Sequence, residues 1–246
     1  MYKQKEMKRK TSIIAALTAI LIFSFNLPVY GEPVAEITYI KGASFVGANK
    51  DGPWQTLARG MSVSQGQLVK TGRTGIVEIT LPDKSVMRLA PETLYQLDAA
   101  VFLKKKKHLF SARLFFGKLW ARVSKTVGVN RGSFDIRTPT AIVGVRGTVY
   151  NVYAALDRST LVSVYQGQVG VGPPIISKDA DREEISWPAE VTEKQWEEII
   201  LKRLQRLYIG SDGMPGKPES FDPVKEKDEW AEWNLRKDAI QTGRDL

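Results

Sequence analysis

Between Val34 and Gly172 no stretch of the chain keeps a helical period. Short apolar or alternating runs follow one another instead, each stopped by Gly, Pro, Asp or Ser. Ile76 to Leu81, Val86 to Leu89, Leu94 to Leu97, Leu114 to Phe116, Leu119 to Val123 and Phe134 to Ile136 are spaced closely, and Ile142 to Tyr153 and Leu161 to Val171 continue the pattern. Leu81-Pro82-Asp83-Lys84-Ser85 reads as one of the connecting turns, because Pro82 presets φ for its first corner. Such punctuation predicts an all-β domain, either a two-sheet sandwich or a short β-solenoid of many short strands. A segment of that length buries about two thirds of its unfolded surface in one core, so the fold needs no covalent staple. None is available, since the 246-residue chain has no cysteine, which excludes disulfides, thiolate metal sites and thiol nucleophiles.

Both flanks differ in character. Lys3, Lys5, Lys8, Arg9 and Lys10 precede an apolar heart from Ile13 to Phe25, shorter than the about 20 residues a membrane-spanning helix requires. Pro28 breaks it, and Val29 and Gly31 stand at the −3 and −1 positions of a processing site before Glu32. Residues 1–31 are therefore expected to be a signal peptide, the protein to be periplasmic or extracellular, and an inner-membrane anchor to result only if the segment is retained. Removing five basic residues and one acidic residue lowers the formal net charge from +9 to +5. That mild excess, on an exported chain, argues against nucleic acid as a ligand.

After Gly172, Pro173-Pro174 stops the last strand, and residues 176–246 read as a polar linker and two amphipathic helices. The first is expected to open at a capping box, Thr192 to Gln195, and to place Trp196, Ile199, Ile200, Leu204 and Leu207 on one face. The second is expected from Asp222-Pro223 to about Thr242, with Trp230, Trp233 and Leu235 as anchors packed onto the β domain. The expected organisation is thus 1–31, an all-β domain over 32–175 and an α-helical appendage over 176–246.

Little in the chain points to catalysis. Its one histidine, His108, follows Lys104, Lys105, Lys106 and Lys107, no Gly-x-Ser-x-Gly turn accompanies it, and a single histidine cannot supply a zinc ligand set. Phosphate-binding loop and dinucleotide fingerprints are missing, so neither cofactor nor metal is expected. Asp83, Glu92, Asp98 and Asp135 are the carboxylates from which a polysaccharide- or peptidoglycan-acting pair would be drawn, and each also reads as a solvated turn residue or a structural partner. The lysine run is a solvated hairpin tip or a weak contact for anionic envelope surfaces.

One segment is more specific than the rest. Thr138-Pro139-Thr140-Ala141-Ile142-Val143-Gly144-Val145-Arg146-Gly147-Thr148-Val149-Tyr150 is similar to the signature of the FecR family of extracytoplasmic domains. Gly66-Gln67-Leu68-Val69, Asp83-x-Ser85, Gly117-Lys118-Leu119 and Gly167-Gln168-Val169 accompany it in order, over residues 34–172. Lys84 departs from the family pattern, which places glycine after that aspartate. Pro139 forces Thr138 to be extended, the glycines relieve crowding, and Arg146 on an apolar strand is read as a structural clamp more than a ligand hook. The best-known members of the family relay a signal from an outer-membrane receptor to a cytoplasmic sigma factor. Here ten residues precede the apolar stretch, too few for a sigma-binding bundle, so the resemblance implies an envelope binding or scaffold module that recognises another protein. An envelope enzyme and an anchored signalling subunit are the alternatives. Intact-mass measurement on exported protein should give a chain starting at Glu32. A membrane-bound band that retains Met1 to Tyr30 would favour the anchor.

Overall fold

The computed structural model describes residues 33–102, 109–124, 133–145, 147–174, 196–226 and 228–243. In chain order its strands are β1 (Pro33–Lys41), β2 (Ser44–Gly47), β3 (Trp54–Thr56), β4 (Ser62–Ser64), β5 (Leu68–Thr71), β6 (Ile76–Thr80), β7 (Val86–Leu89), β8 (Leu94–Val101) and β9 (Leu109–Arg122). There follow β10 (Ser133–Arg137), β11 (Ile142–Val145), β12 (Val149–Ala154), β13 (Thr160–Gln166), β14 (Gln168–Gly172), β15 (Ile199–Lys202), β16 (Gln205–Ile209) and β17 (Glu219–Ser220). A single helical turn, α1 (Pro223–Glu226), and the helix α2 (Glu229–Thr242) close the chain.

Two sheets share one strand. The first runs β4-β1-β6-β7-β9-β12-β13-β16-β17, and the second runs β3-β2-β5-β8-β9-β10-β11-β14-β15. Every pairing is antiparallel except β9 with β10. The architecture is therefore a two-sheet sandwich, the first of the two expected forms. Alternating residues of both sheets, among them Val77, Met87, Leu119 and Val152 from the first and Tyr95, Phe110, Ile136 and Val143 from the second, meet in one core. Phe110 and Phe134 stack there with ring centroids 4.3 Å apart.

Strand β9 is the hinge of this arrangement. Its first half pairs with β8 as far as Phe116, opposite Leu94, while Gly117 already pairs with Ala154 of β12. The change of sheet takes place at Gly117, whose φ of 100° lies in the region only glycine adopts freely. A Cβ there would collide with the side chain of Thr93 and come within 2.6 Å of its Cα.

Three turns of the first sheet repeat one design. Asp83 Oδ1 accepts from Ser85 N (3.0 Å), Asp157 Oδ1 from Ser159 N (2.9 Å) and Asp212 Oδ1 from Met214 N (3.0 Å). In each, the residue after the aspartate is left-handed: Lys84 at φ 69°, Arg158 at 76° and Gly213 at 79°. The aspartate fixes the loop by bonding backbone two residues on, as short polar side chains do in turns.

The first expected tail helix is corrected by the structure. Residues 199–209 form two strands that turn a corner between the sheets, β15 on the edge of the second and β16 in the first, with Leu204 at φ 60° between them. Leu201 pairs with Val169 and Leu207 with Val162, and both side chains are completely buried in the common core. The apolar residues that looked helical on spacing alone extend the open edges of β14 and β13, and edge pairing outweighs helix propensity. Among the described residues, β15 and β16 are therefore part of the two sheets. The second helix forms in two pieces, α1 with Pro223 at its start and α2 capped by Asp228 and ending at left-handed Gly243.

These observations set opposite expectations for two glycine exchanges. Gly117→Ala should lower stability by roughly 2–4 kcal/mol, from steric overlap and a disfavoured φ. Lys84→Gly should raise it by about 1 kcal/mol, by removing a left-handed lysine. Chemical denaturation of both variants checks the pair.

Candidate functional site

The outer face of the first sheet is unusual in carrying charge where it is covered. Successive strands present Thr38 and Tyr39 (β1), Glu78 (β6), Arg88 (β7), Trp120 and Arg122 (β9) and Asn151 (β12), and α2 reaches across all of them. Helix spacing explains which residues it offers. Trp230, Asn234 and Asp238 are four apart, as are Trp233, Lys237 and Gln241, so the two rows form one face. Asp228 caps its start by accepting from Trp230 N (3.0 Å) and Ala231 N (3.4 Å).

Arg88 sits at the centre with no solvent exposure. Its Nε lies 2.7 Å from Glu78 Oε2, its Nη1 is 2.8 Å from Asp238 Oδ1 and donates to Asn234 Oδ1 (3.1 Å), and its Nη2 donates to Gln241 Oε1 (2.9 Å). Asp238 also accepts from Trp120 Nε1 (2.9 Å) and Arg122 Nε (3.0 Å). Glu78 further accepts from Thr38 Oγ1 (2.8 Å) and Gln241 Nε2 (3.2 Å) and faces Lys237 Nζ at 3.2 Å. Lys237 Nζ in turn stands 3.4 Å from the centroid of the Tyr39 ring. Three cations thus meet two carboxylates. Burial alone would raise the Glu78 carboxyl, yet the Arg88 hydrogen bond and charge, with Thr38 and Lys237, hold it below the usual carboxylate range. Burial lowers the Lys237 ammonium, and Glu78 offsets only part of that.

Beyond the N-terminal end of α2 the same face opens into a groove of about 430 Å³. Lys118 pairs with Tyr153 across β9 and β12, two residues along from the Trp120 and Asn151 pair, so the groove continues the covered face. Its walls are Pro91 and Glu92, Phe116, Tyr153, Leu156 and Trp230, with Gly117 lining it as well. Leu156 is 84% exposed, an apolar side chain offered to solvent at the groove's rim. Trp230 is fixed there by its Nε1, which donates to Asn151 Oδ1 (3.1 Å). Aromatic walls with a few charged groups are the usual composition of a recognition site.

The signature residues sit elsewhere and point inward. Thr138, Pro139, Thr140 and Ala141 make the turn from β10 to β11, where Ala141 N donates to Thr138 Oγ1 (3.0 Å). Thr160 Oγ1 donates to the same oxygen (2.8 Å) and lies 2.8 Å from Thr140 Oγ1, tying this turn of the second sheet to the first residue of β13. Val145 and Thr148 are buried, Gly147 is left-handed at φ 58°, and Tyr150 is fully buried in the core, where burial raises its hydroxyl well above the ordinary value. Arg146 lies outside the described residues, as do Gly31, Glu32, Lys104, Lys105, Lys106, Lys107 and His108. Among the carboxylates considered for acid-base work, Asp83 serves its own turn, Glu92 enters the groove, Asp98 faces Arg113 at 3.6 Å and Asp135 lies beside Gly144. Among the described residues no three His, Asp or Glu side chains converge on a metal position.

Sequence reasoning passed over Glu78, Arg88, Asn234, Lys237, Asp238 and Gln241. A usable signal was present: Glu78 and Arg88 are lone charges inside Ile76-Val77-Glu78-Ile79 and Val86-Met87-Arg88-Leu89, the same anomaly that drew attention to Arg146.

Residues 67–170 match the sequence profile of the family described as FecR protein, spanning β5 to β14. No curated protein matches. Two crystal structures of a candidate anti-sigma factor from Parabacteroides distasonis align at 20% identity over 63% of this chain, with TM-scores of 0.46 and 0.47. The alignment spans 60% of that protein's length.

The charge network makes α2 sensitive to acid. Because the Glu78 carboxyl is lower in the folded protein than in the unfolded chain, its contribution is complete above the unfolded value of about 4.3 and is lost as pH falls through the folded value. Lys237 acts with the opposite sign, its burial cost being relieved as pH rises toward its ordinary value. Asp98 and Asp135, raised by burial, gain from protonation, so mild acid favours the sandwich while it weakens the helix contact. Tryptophan fluorescence should report weakening of α2 docking only as pH falls below the unfolded carboxylate value of about 4.3, and Asp238→Asn should cost about 3 kcal/mol of docking at neutral pH.

Proposed function

We propose that this chain, whose residues 67–170 are a FecR domain, is an exported regulatory module of the bacterial cell envelope that recognises another protein. The FecR family is regulatory rather than enzymatic, and the domain match is the observation that carries the reading. The basic n-region and short apolar heart before Pro28 support export. The groove supports recognition, because Tyr153 and Leu156 offer apolar surface at a rigid strand end beside Lys118 and Glu92. Exposed aromatic and aliphatic anchors rimmed by charge are where binding energy concentrates. The inward-facing signature fits the same role as a scaffold: it ties the two sheets together and so holds the groove's strands at fixed spacing.

Cross-linking in the envelope fraction should recover one partner with the full chain. Leu156→Glu should reduce that recovery about tenfold without changing the melting temperature, since Leu156 supports nothing beneath it. Release of fragments from isolated cell wall by the purified protein would replace this reading with the enzyme.

A further inference from the structure

The open groove and the covered face of the first sheet are one surface, half occupied. We infer that α2 is a resident placeholder on a helix-binding face, and that the partner engages the groove and displaces α2 with an amphipathic helix of its own. The inference rests on the reading of this chain as a protein-recognition module and names the surface on which recognition occurs.

The chemistry of the contact favours exchange over permanent docking. Ala231 is the one apolar side chain of α2 that is fully buried, and the others on that face are amides, charges and partly buried tryptophans. Taking charges out of water costs nearly as much as pairing them returns, so a helix held by Arg88, Asp238 and Glu78 gains register and specificity more than affinity. The face it would leave keeps Arg88, Arg122 and Lys118 against Glu78 and Glu92, an excess of one positive charge that calls for a carboxylate in the place of Asp238. Trp120 Nε1 also needs an acceptor there. The partner is thus specified by its chemistry: an aromatic pair one turn apart, then a carboxylate and an amide further along the same face, as in Trp230, Trp233, Asp238 and Gln241. The groove gives it a foothold beside Tyr153 before α2 has moved.

Two measurements on the full chain test this, with a labelled synthetic peptide of residues 228–243 as the probe. Amide exchange should show α2 opening at least about tenfold faster in Asp238→Asn than in the unsubstituted chain, with β6, β7 and β9 unchanged. The peptide should bind the Asp238→Asn chain at least about tenfold more tightly than the unsubstituted chain, whose own helix competes with it, and Gln241→Ala should act in the same direction if Asp238→Asn does not fold. A peptide carrying Asp238→Asn should bind neither. The inference is overturned if α2 exchanges only together with the sandwich strands, or if the peptide fails to bind a chain whose α2 is shown to be open. A concentration-dependent dimer with exchanged α2 helices would overturn it too, because the occupant would then be a second copy. None of these outcomes depends on the envelope partner, so a failure here leaves the cross-linking result standing, and failed cross-linking leaves this one standing.

Discussion

A strand that belongs to two sheets has to turn a corner, and in this protein everything else is arranged around how β9 does so. Gly117 takes a φ of 100° directly against Thr93, and Lys118 N then donates to Thr93 Oγ1 (3.2 Å), which seals the corner on its far side. Because the register changes partner between Phe116 and Gly117, the inward positions 110, 112 and 114 of the second sheet become 119 and 121 in the first. The same shift points Trp120 and Arg122 outward, under α2. A tighter packing of ordinary residues could not reproduce this, since the missing Cβ is what lets β8 and β9 stay paired up to the bend. Core, groove and charged face all inherit their geometry from that one position.

The charged face raises a different physical question, why a protein should bury Arg88 at all. An apolar residue of similar volume on β7 facing an apolar stripe on α2 would hold the helix at least as firmly. What the guanidinium adds is direction. Its donors are matched to four separate acceptors on two elements, so the helix can dock in only one register and at one rotation. Tryptophan packing alone would tolerate a slide along the sheet. The Trp230 and Trp233 rings, 5.5 Å apart and nearly parallel, add area once the polar contacts have set the position.

Much of the sandwich was legible because its signals are local. Alternation in Phe134-Asp135-Ile136, the proline of Leu81-Pro82-Asp83 and the Thr138-Pro139 turn each act within a few residues, and the structure places strands and turns at those points. The helix α2 was legible for a similar reason, its end falling at Thr242 as its spacing predicts. The strand pair of residues 199–209 was not, because Ile199, Ile200, Leu204 and Leu207 satisfy a helical stripe as well as they satisfy two short strands. Only the unpaired edges of β13 and β14 decide between them, and those edges are made by residues about 30 to 50 positions earlier. The charged face was hidden in the same way. Nothing near Arg88 announces that its acceptors are Asn234, Asp238 and Gln241, because the pairing spans some 150 residues.

That separation in sequence has a functional side. A segment that forms late in the chain and is held by polar contacts can open without disturbing the sandwich, whose core residues such as Val77, Met87 and Leu119 face the other way. The covered face of the first sheet is therefore rigid whether or not α2 is present, since its strands are fixed by the core and by the three aspartate turns. A pre-formed, charged and partly aromatic sheet face pays little ordering cost on binding, and it rejects helices that lack a carboxylate, which would leave Arg88 and Arg122 unmatched. The rigidity set at Gly117 and the selectivity set at Arg88 thus act on one surface: the first fixes where a partner can lie, and the second fixes which partner can stay.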